Sequence, residues 1–459
     1  MTRYIKRAFL LLSSLCVLNA CSSFLEVDLP KSQLTNATVF DSYETANAAL
    51  ANIYAKIRDA GILSGTGGAS SQMGSYADEL IVYGNPSGPN MQFYNNALLP
   101  TMSAITEYWN NSYNQIYAAN TLIAGVENSV SLTSNDKRQF TGEALFLRAL
   151  VHFYLVNLFG DVPYIKTTDY ELNRKVSRLS TNVVYENIIA DLKNAQILLP
   201  ETYSSAERSR VNRHVCKAFL ARVYLYGKSY ADAENEASAV LNQKALFSLE
   251  NDLTKTFLIP SKETILQLQS AVSGQNTKEA GIFIFVAGPP ASLSLTPNLI
   301  NSFQTNDLRK ANWIKSVTKG LDTWYHAFKY KEQTNTAVSK EYSVLFRLAE
   351  QYLIRAEARA QQGNLTGAKE DLNMIRSRAG IGNTTAATKE EILDAILKER
   401  RLELFTEHGH RFLDLKRFDK LDSQLSGLKL GWNSTDRLLP IPQNELNANP
   451  NLLPQNLGY

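Results

Sequence analysis

Two apolar stripes between residues 345 and 380 restrict this chain more than any other feature. Leu345, Ala349, Tyr352, Leu353, Ala356 and Ala360 recur at helical spacing, which keeps them on one face. Gly363 interrupts the pattern, and Leu365, Ala368, Leu372, Ile375 and Ala379 resume it. Gly380 follows where a left-handed residue ends a helix, with Arg376 and Arg378 in the last turn near the negative end of the dipole. The stretch therefore predicts two short helices joined by a tight glycine turn. Ala356, Gly363, Leu365, Ala368 and Leu372 match the second half of a tetratricopeptide-type repeat, in which small residues let two helices approach closely. One hairpin cannot bury its own apolar face, so partners are expected elsewhere in the chain.

Those partners are legible upstream. Positions 42–60 pattern as a helix with Ala46, Ala49, Leu50, Ile53, Tyr54 and Ile57 on one face. Helical spacing resumes at Ala104 with Tyr108, Trp109, Ile116, Tyr117 and Ile123, and again over 140–159, stopping at Gly160-Asp161-Val162-Pro163. Leu192, Ala195 and Pro200 have the spacing that closes a tetratricopeptide unit, and Ala218, Ala221, Tyr224, Gly227, Tyr230 and Ala233 resemble a helix–turn–helix. The expected fold is mainly α: about four tetratricopeptide-like hairpins, spread over about 104–159, 184–241 and 345–380, enough for a short solenoid. After the last hairpin, Thr388 and Glu391 form a capping box for a helix through about Phe405.

Two segments break this pattern, and the hairpins are expected to pack against the loop-rich half that they form. Residues 61–103 carry frequent Gly and Pro, together with Tyr76, Asp78, Tyr83, Phe93 and Tyr94. Residues 245–340 hold strand-like runs at 264–268 and 282–286, the breakers Gly288, Pro289, Pro290 and Pro297, and the aromatics Phe303, Trp313, Trp324, Tyr325 and Phe328. Loops carried on a rigid helical frame are where binding residues usually sit. The tail from Trp432 is rich in Pro and Asn and reads as irregular.

The first twenty residues are an address rather than part of the globule. Arg3, Lys6 and Arg7 precede an apolar run, 8–18, too short to span a bilayer. The run ends Leu18-Asn19-Ala20-Cys21, an order that resembles the bacterial lipobox and implies cleavage before Cys21 and acylation of that residue; the alternative is a signal peptide cleaved without lipidation. Each buried acyl CH₂ stabilises membrane binding by about 0.8 kcal/mol, so several chains would anchor the protein durably. Removing residues 1–20 takes three basic and no acidic residues from 47 and 44, leaving 44 of each. A formally neutral chain has no electrostatic claim on nucleic acid. Of three cysteines, Cys16 leaves with the leader and Cys21 is acylated, so only Cys216 remains; disulfides are excluded and Cys216, amid Ala218, Phe219 and Leu220, reads as a core thiol.

No constellation points to catalysis. His408-Gly409-His410 is the only close histidine pair; two imidazoles suit a metal, but neither a Cys nor a third His is near, and flanking charges suggest the start of a surface helix. No metal or cofactor is expected. Gly65-Thr66-Gly67-Gly68 lacks the Gly-Lys-Ser/Thr that grips phosphate and reads as a flexible loop. Asp78-Glu79 supplies adjacent carboxylates, whereas glycoside hydrolysis needs two facing carboxylates about 5–10 Å apart. Glu399, Arg400, Arg401, Glu403, Glu407, Arg411, Asp414 and Arg417 alternate in sign; Arg cannot lose its proton, so these read as pairs that fix helix packing. The ligand-binding candidates are Tyr76, Asp78, Tyr83, Tyr94, Trp313 and Trp324: flat rings stack on the apolar face of a sugar, and carboxylates or amides meet its hydroxyls. Local core beneath long loops is the competing role for each ring.

Taken together the chain resembles the SusD/RagB family of outer-membrane nutrient-binding lipoproteins. The resemblance rests on Arg347-Leu348-Ala349-Glu350, Tyr352-Leu353-Ile354-Arg355-Ala356-Glu357-Ala358 and Asn373-Met374-Ile375-Arg376-Ser377-Arg378-Ala379-Gly380. It continues through Glu399-Arg400-Arg401-Leu402-Glu403-Leu404, Gly409-His410-Arg411-Phe412-Leu413-Asp414-Leu415-Lys416-Arg417 and Leu439-Pro440-Ile441-Pro442. The terminal Gln455-Asn456-Leu457-Gly458-Tyr459 fits too, with Leu457 where the family more often has Pro. Upstream, Phe159-Gly160-Asp161-Val162-Pro163 and Asp307-Leu308-Arg309 also match. The resemblance implies one domain over 21–459, with a loop-rich ligand half cradled by four hairpins. It implies a non-enzymatic protein that caps a SusC-like TonB-dependent transporter and captures nutrient, most often a glycan or, in the RagB branch, a peptide. A protein-interaction scaffold without a small ligand is the reading from another class.

Overall fold

The structure, a computed structural model, describes residues 38–459; the leader and Cys21 lie outside the described residues. Its frame is a succession of helices that pack in the order in which they occur. α1 (Tyr43–Asp59) lies on α2 (Ser103–Asn128), α2 on α3 (Ser134–Phe159), and α3 on α4 (Thr181–Leu198). α4 is followed by α5 (Arg213–Tyr226) and α6 (Tyr230–Leu241), and α6 packs directly on α7 (Leu348–Gln361), which pairs with α8 (Leu365–Arg378). The chain thus leaves the solenoid after Leu241 and rejoins it at Leu348.

Local chemistry sets the ends of these helices. Thr133 and Asp136 form a reciprocal capping box at the start of α3, and Gly160, at a positive φ of 76°, ends it. α3 is long and apolar enough to cross a membrane, yet its most apolar stretch is almost wholly buried in protein, which marks it as the central core helix. Its polar side chains there are paired: Arg148 donates to both carboxylate oxygens of Asp191 at 2.7 Å each and to Asn120 Oδ1 at 2.8 Å, tying α2, α3 and α4 together. Cys216 is a free, buried thiol, as expected.

The 345–380 hairpin forms with one change at its start. Gly363 (φ 86°) and Gly380 (φ 71°) occupy the left-handed positions, and Ala356, Ala360, Ala368 and Leu372 pack in a satellite core with Ile392 and Ile396 of α9 (Lys389–Leu404). Leu345, however, belongs to a strand, Ser343–Arg347, and the helix begins at Leu348. A strand that is buried on both faces lacks the alternation that would separate it from a buried helix turn.

The excursion between α6 and α7, together with residues 61–102, makes the loop-rich half. Its strands form three antiparallel pairs: β1 (Leu80–Val82) with β3 (Leu293–Leu295), β2 (Thr264–Leu268) with β6 (Ser343–Arg347), and the hairpin β4 (Ile314–Lys319) with β5 (Asp322–Ala327). The Leu80↔Leu295 register sews the two loop-rich segments into one body, over a second core that includes Phe257, Phe283, Leu299, Phe303, Trp313 and Phe405. The run at 282–286 is not a strand. Thr277 caps a short helix, Lys278–Phe283, and the chain is irregular beyond it.

The alternating charges of 399–417 sit in the interior between the two halves. Arg347 reaches Glu263 at 3.0 Å, Glu403 at 2.5 Å and Glu407 at 2.8 Å. Arg309 binds Asp307, Glu399 and Glu403; Arg378 binds Glu263 and Glu403; Lys329 binds Glu407. Burial alone would raise the Glu403 and Glu407 carboxyls, but the surrounding guanidinium groups hold both below the usual range. Such a cluster contributes less net stability than its contacts suggest, yet losing one member is costly because the others stay buried without a partner.

Candidate functional site

A cleft runs along the seam where the two loop-rich segments face the end of α1 and the flank of α2. Its larger hollow, about 820 Å³, is lined by Arg58 and Asp59 at the end of α1, Gly65 and Thr66, Gln275, Asn276, Lys278 and Glu279, and Glu332 to Asn335. The smaller, about 450 Å³, is lined by Gly67, Gln72, Tyr83, Asn85, Asn90, Glu107 and Tyr108. The two meet at Ser292 and along Gly65–Thr66–Gly67. This volume suits a ligand of a few rings.

The glycines at the junction are a tight fit rather than the flexible loop their composition suggests. A Cβ on Gly68 would stand 2.2 Å from the Ser64 carbonyl oxygen, and one on Gly65 would stand 2.5 Å from Glu279 Oε2. Gly68 also caps the helix Ala69–Tyr76, while Ala69 donates to the Ile62 carbonyl at 2.7 Å. Close backbone approach holds the cleft floor in place.

The two cations at the end of the larger hollow share one carboxylate, Asp59. Arg58 donates to both Asp59 oxygens and to the Gln269 carbonyl, and Lys278 reaches Asp59 Oδ1 at 2.9 Å. The hydrogen bond from Arg58 holds the Asp59 carboxyl down at about 2. Beside the carboxylates of Glu107 and Glu279, the lining is chiefly amide and hydroxyl: Asn85, Asn90, Gln275, Gln333, Asn335, Thr66 and Ser292. That set suits a ligand rich in neutral donors and acceptors.

The six sequence candidates divide. Tyr83 lines the smaller hollow, with Ser294 Oγ 3.3 Å from its hydroxyl. Trp324 is half-buried on β5, which lies against β3, and its ring covers Gly288 so closely that a Cβ there would stand 2.2 Å away. Tyr94 is half-buried with the Lys429 ammonium 3.8 Å from its ring centroid, so one face of the ring is taken. Tyr76, Asp78 and Trp313 are buried and cannot meet a ligand in the cleft. Tyr76 packs edgewise on Phe93, Phe412 and Trp432 and donates to the Asp436 carbonyl. Trp313 is fully buried, with its indole N–H on the Leu253 carbonyl at 2.9 Å. Asp78 is clamped by Arg411 at 2.7 Å and Arg401 at 2.8 Å; burial would raise its carboxyl, but these guanidinium groups hold it below the usual range.

Neither histidine of 408–410 lies on a surface helix, contrary to the reading of their flanking charges. Both are buried: His408 Nε2 sits 2.9 Å from the Val344 carbonyl oxygen, and His410 begins a helix that ends at Arg417. Among the described residues no three His, Cys, Asp or Glu side chains converge as a metal site. The cleft residues that sequence reasoning missed are Arg58, Asp59 and the amides. The Gln275-Asn276 and Glu332-Gln333-Thr334-Asn335 clusters were the available signal.

With this geometry in hand, the comparisons define the class. Residues 23–225 match the family model described as starch-binding associating with outer membrane, and residues 298–459 match that of the SusD family. The chain belongs to the SusD/RagB family. SusD-like protein P38 of Formosa agariphila is 28% identical, with 98% of each chain covered. The starch-binding protein SusD of Bacteroides thetaiotaomicron is 25% identical over 73% of this chain and 75% of its own. Among solved structures, a laminarin binding SusD-like protein matches with a TM-score of 0.77 at 25% identity, over 91% of this chain and 99% of that one.

Proposed function

We propose that the protein is a cell-surface lipoprotein that binds a glycan in the cleft between its loop-rich segments, without chemical turnover, and serves as the lid of a SusC-like TonB-dependent transporter. The observation that carries the ligand class is the lining, in which amides and hydroxyls beside Tyr83 predominate. A lining rich in amides and hydroxyls matches the many neutral hydroxyls of a glycan, which favours a glycan over the RagB-like peptide role. Relatives named for starch and laminarin support the same class. The lipobox-like Leu18-Asn19-Ala20-Cys21 supports anchoring in the outer membrane through acylated Cys21, palmitate included.

Native affinity electrophoresis of the mature chain against laminarin, starch, xylan and mannan tests the ligand class. Retardation by at least one is expected; retardation by none, with a thermal shift on adding peptides, would replace the glycan by a peptide. Co-purification of a TonB-dependent barrel from outer membranes tests the lid role. Release of the Cys21→Ala protein from the membrane fraction tests the anchor.

A further inference from the structure

We infer that a trough on the outer side of α2 is a second sugar-binding site, which holds the continuation of a polysaccharide whose other part fills the cleft. The inference rests on the glycan reading of the cleft and adds where a long ligand runs on leaving it.

The trough, about 690 Å³, has three walls. α2 supplies Trp109, Tyr113 and Tyr117, with Asn110 and Asn114 between them. The strap that follows α3 supplies Tyr170 and Asn173, and the C-terminal segment supplies Glu445 and Asn449. Hydrogen bonds within the protein hold these walls in place. Tyr113 donates to the Pro163 carbonyl at 3.0 Å and Asn120 to the Ile165 carbonyl at 3.1 Å, which fastens the strap to α2. Asn449 donates to the Val176 carbonyl and Asn451 to that of Lys175, each at 2.8 Å, which fastens it to the C-terminal segment.

A ligand can reach the rings. Trp109 is buried beneath, against Phe159 and Tyr113, whereas Tyr117 is 49% exposed and Tyr170 is 74% exposed. Among the described residues these two are the most exposed aromatic side chains, and both line this one trough. Their flat faces can stack on the apolar face of a sugar ring. Of the described residues that line it, only Arg174 and Glu445 are charged, and Arg174 is turned to Glu171 at 2.8 Å. The Glu445 carboxylate accepts from hydroxyls, and the amides both donate and accept. That combination suits a neutral sugar and offers an acidic ligand nothing.

The trough also continues the cleft. Glu107 lines the smaller hollow, and Asn110 and Asn114, three and seven residues on, line the trough; all three are exposed on one face of α2. From Glu107 to Tyr117 the helix rises only about 15 Å, so one extended polysaccharide can touch both. A second contact on a chain already held is made at high effective concentration and raises the overall affinity.

The test is the mature chain carrying Tyr117→Ala and Tyr170→Ala. Its affinity is measured for the polysaccharide that most retards the unsubstituted chain and for short oligosaccharides cut from that polymer. The expected result is an unchanged melting midpoint, affinity for the polymer lowered about tenfold, and affinity for the shortest bound oligosaccharide kept. Polymer affinity equal to that of the unsubstituted chain overturns the inference and leaves the glycan reading of the cleft intact. The same equality with loss of the co-purified barrel also overturns it, and assigns this face to the transporter. An equal loss for the polymer and the shortest oligosaccharide overturns it too, because the substitutions would then act on the cleft itself. If none of laminarin, starch, xylan and mannan retards the unsubstituted chain, the glycan reading fails and the trough with it.

Discussion

Asp78 and Glu79 are adjacent in sequence and opposite in behaviour. Arg411 and Arg401 keep Asp78 ionised, whereas burial, and then the charge of Asp78, push Glu79 up to about 7. The folded protein therefore holds the Glu79 proton more tightly than the unfolded chain does. Its stabilising contribution is fully present below the ordinary value of 4.5 and is lost as pH rises through about 7. Glu79→Gln should change stability little at pH 5 and raise it by roughly 2–3 kcal/mol at pH 8. Urea unfolding at the two pH values measures this, and an equal effect at both would contradict the assignment. As a residue type, Asp78 looked like a candidate for a cleft. Its buried pairing depends on guanidinium groups more than 300 positions away, which neither spacing nor composition reports. Trp313 was misread for the same reason, since its indole partner is Leu253.

The helices were legible because their causes are local. The three- and four-residue stripes, the Thr388–Glu391 box and the glycines at 363 and 380 each act within a turn or two, and all are present. A Cβ at Gly363 would touch nothing within 4 Å, so Gly363→Ala isolates the backbone term, with an expected loss of roughly 1 kcal/mol. The short strands β1 and β3 were invisible because three residues carry no period, and their pairing joins positions 80 and 295. The alternating charges gave the correct class of role, packing, but not the depth. Arg347→Leu leaves Glu263, Glu403 and Glu407 short of a partner inside the protein, and should cost about 3–5 kcal/mol in urea unfolding. A loss below about 1 kcal/mol would mean that the cluster is solvated like a surface network.

Across the whole molecule, the solenoid is continuous in space while the sequence interrupts it, and the interruption builds the cleft. α6 and α7 touch, so residues 242–347 are extruded from the frame, meet residues 61–102 through β1–β3, and are fixed to the frame by the interior charges. Family membership and helical architecture were readable from the chain. The cleft was not, because Arg58, Gly67, Asn85, Asn276 and Gln333 come from separate stretches, none of which has a pattern of its own. Tyr83→Ala should weaken glycan retention about tenfold with little change in melting, because its ring lies at the rim and not in either core. The most direct measurement is a crystal structure of the mature protein with an oligosaccharide cut from the polysaccharide it retains best. A sugar in the cleft, in contact with Tyr83, is the expected result. A sugar bound only on the helical frame, with no contact to either loop-rich segment, would contradict it.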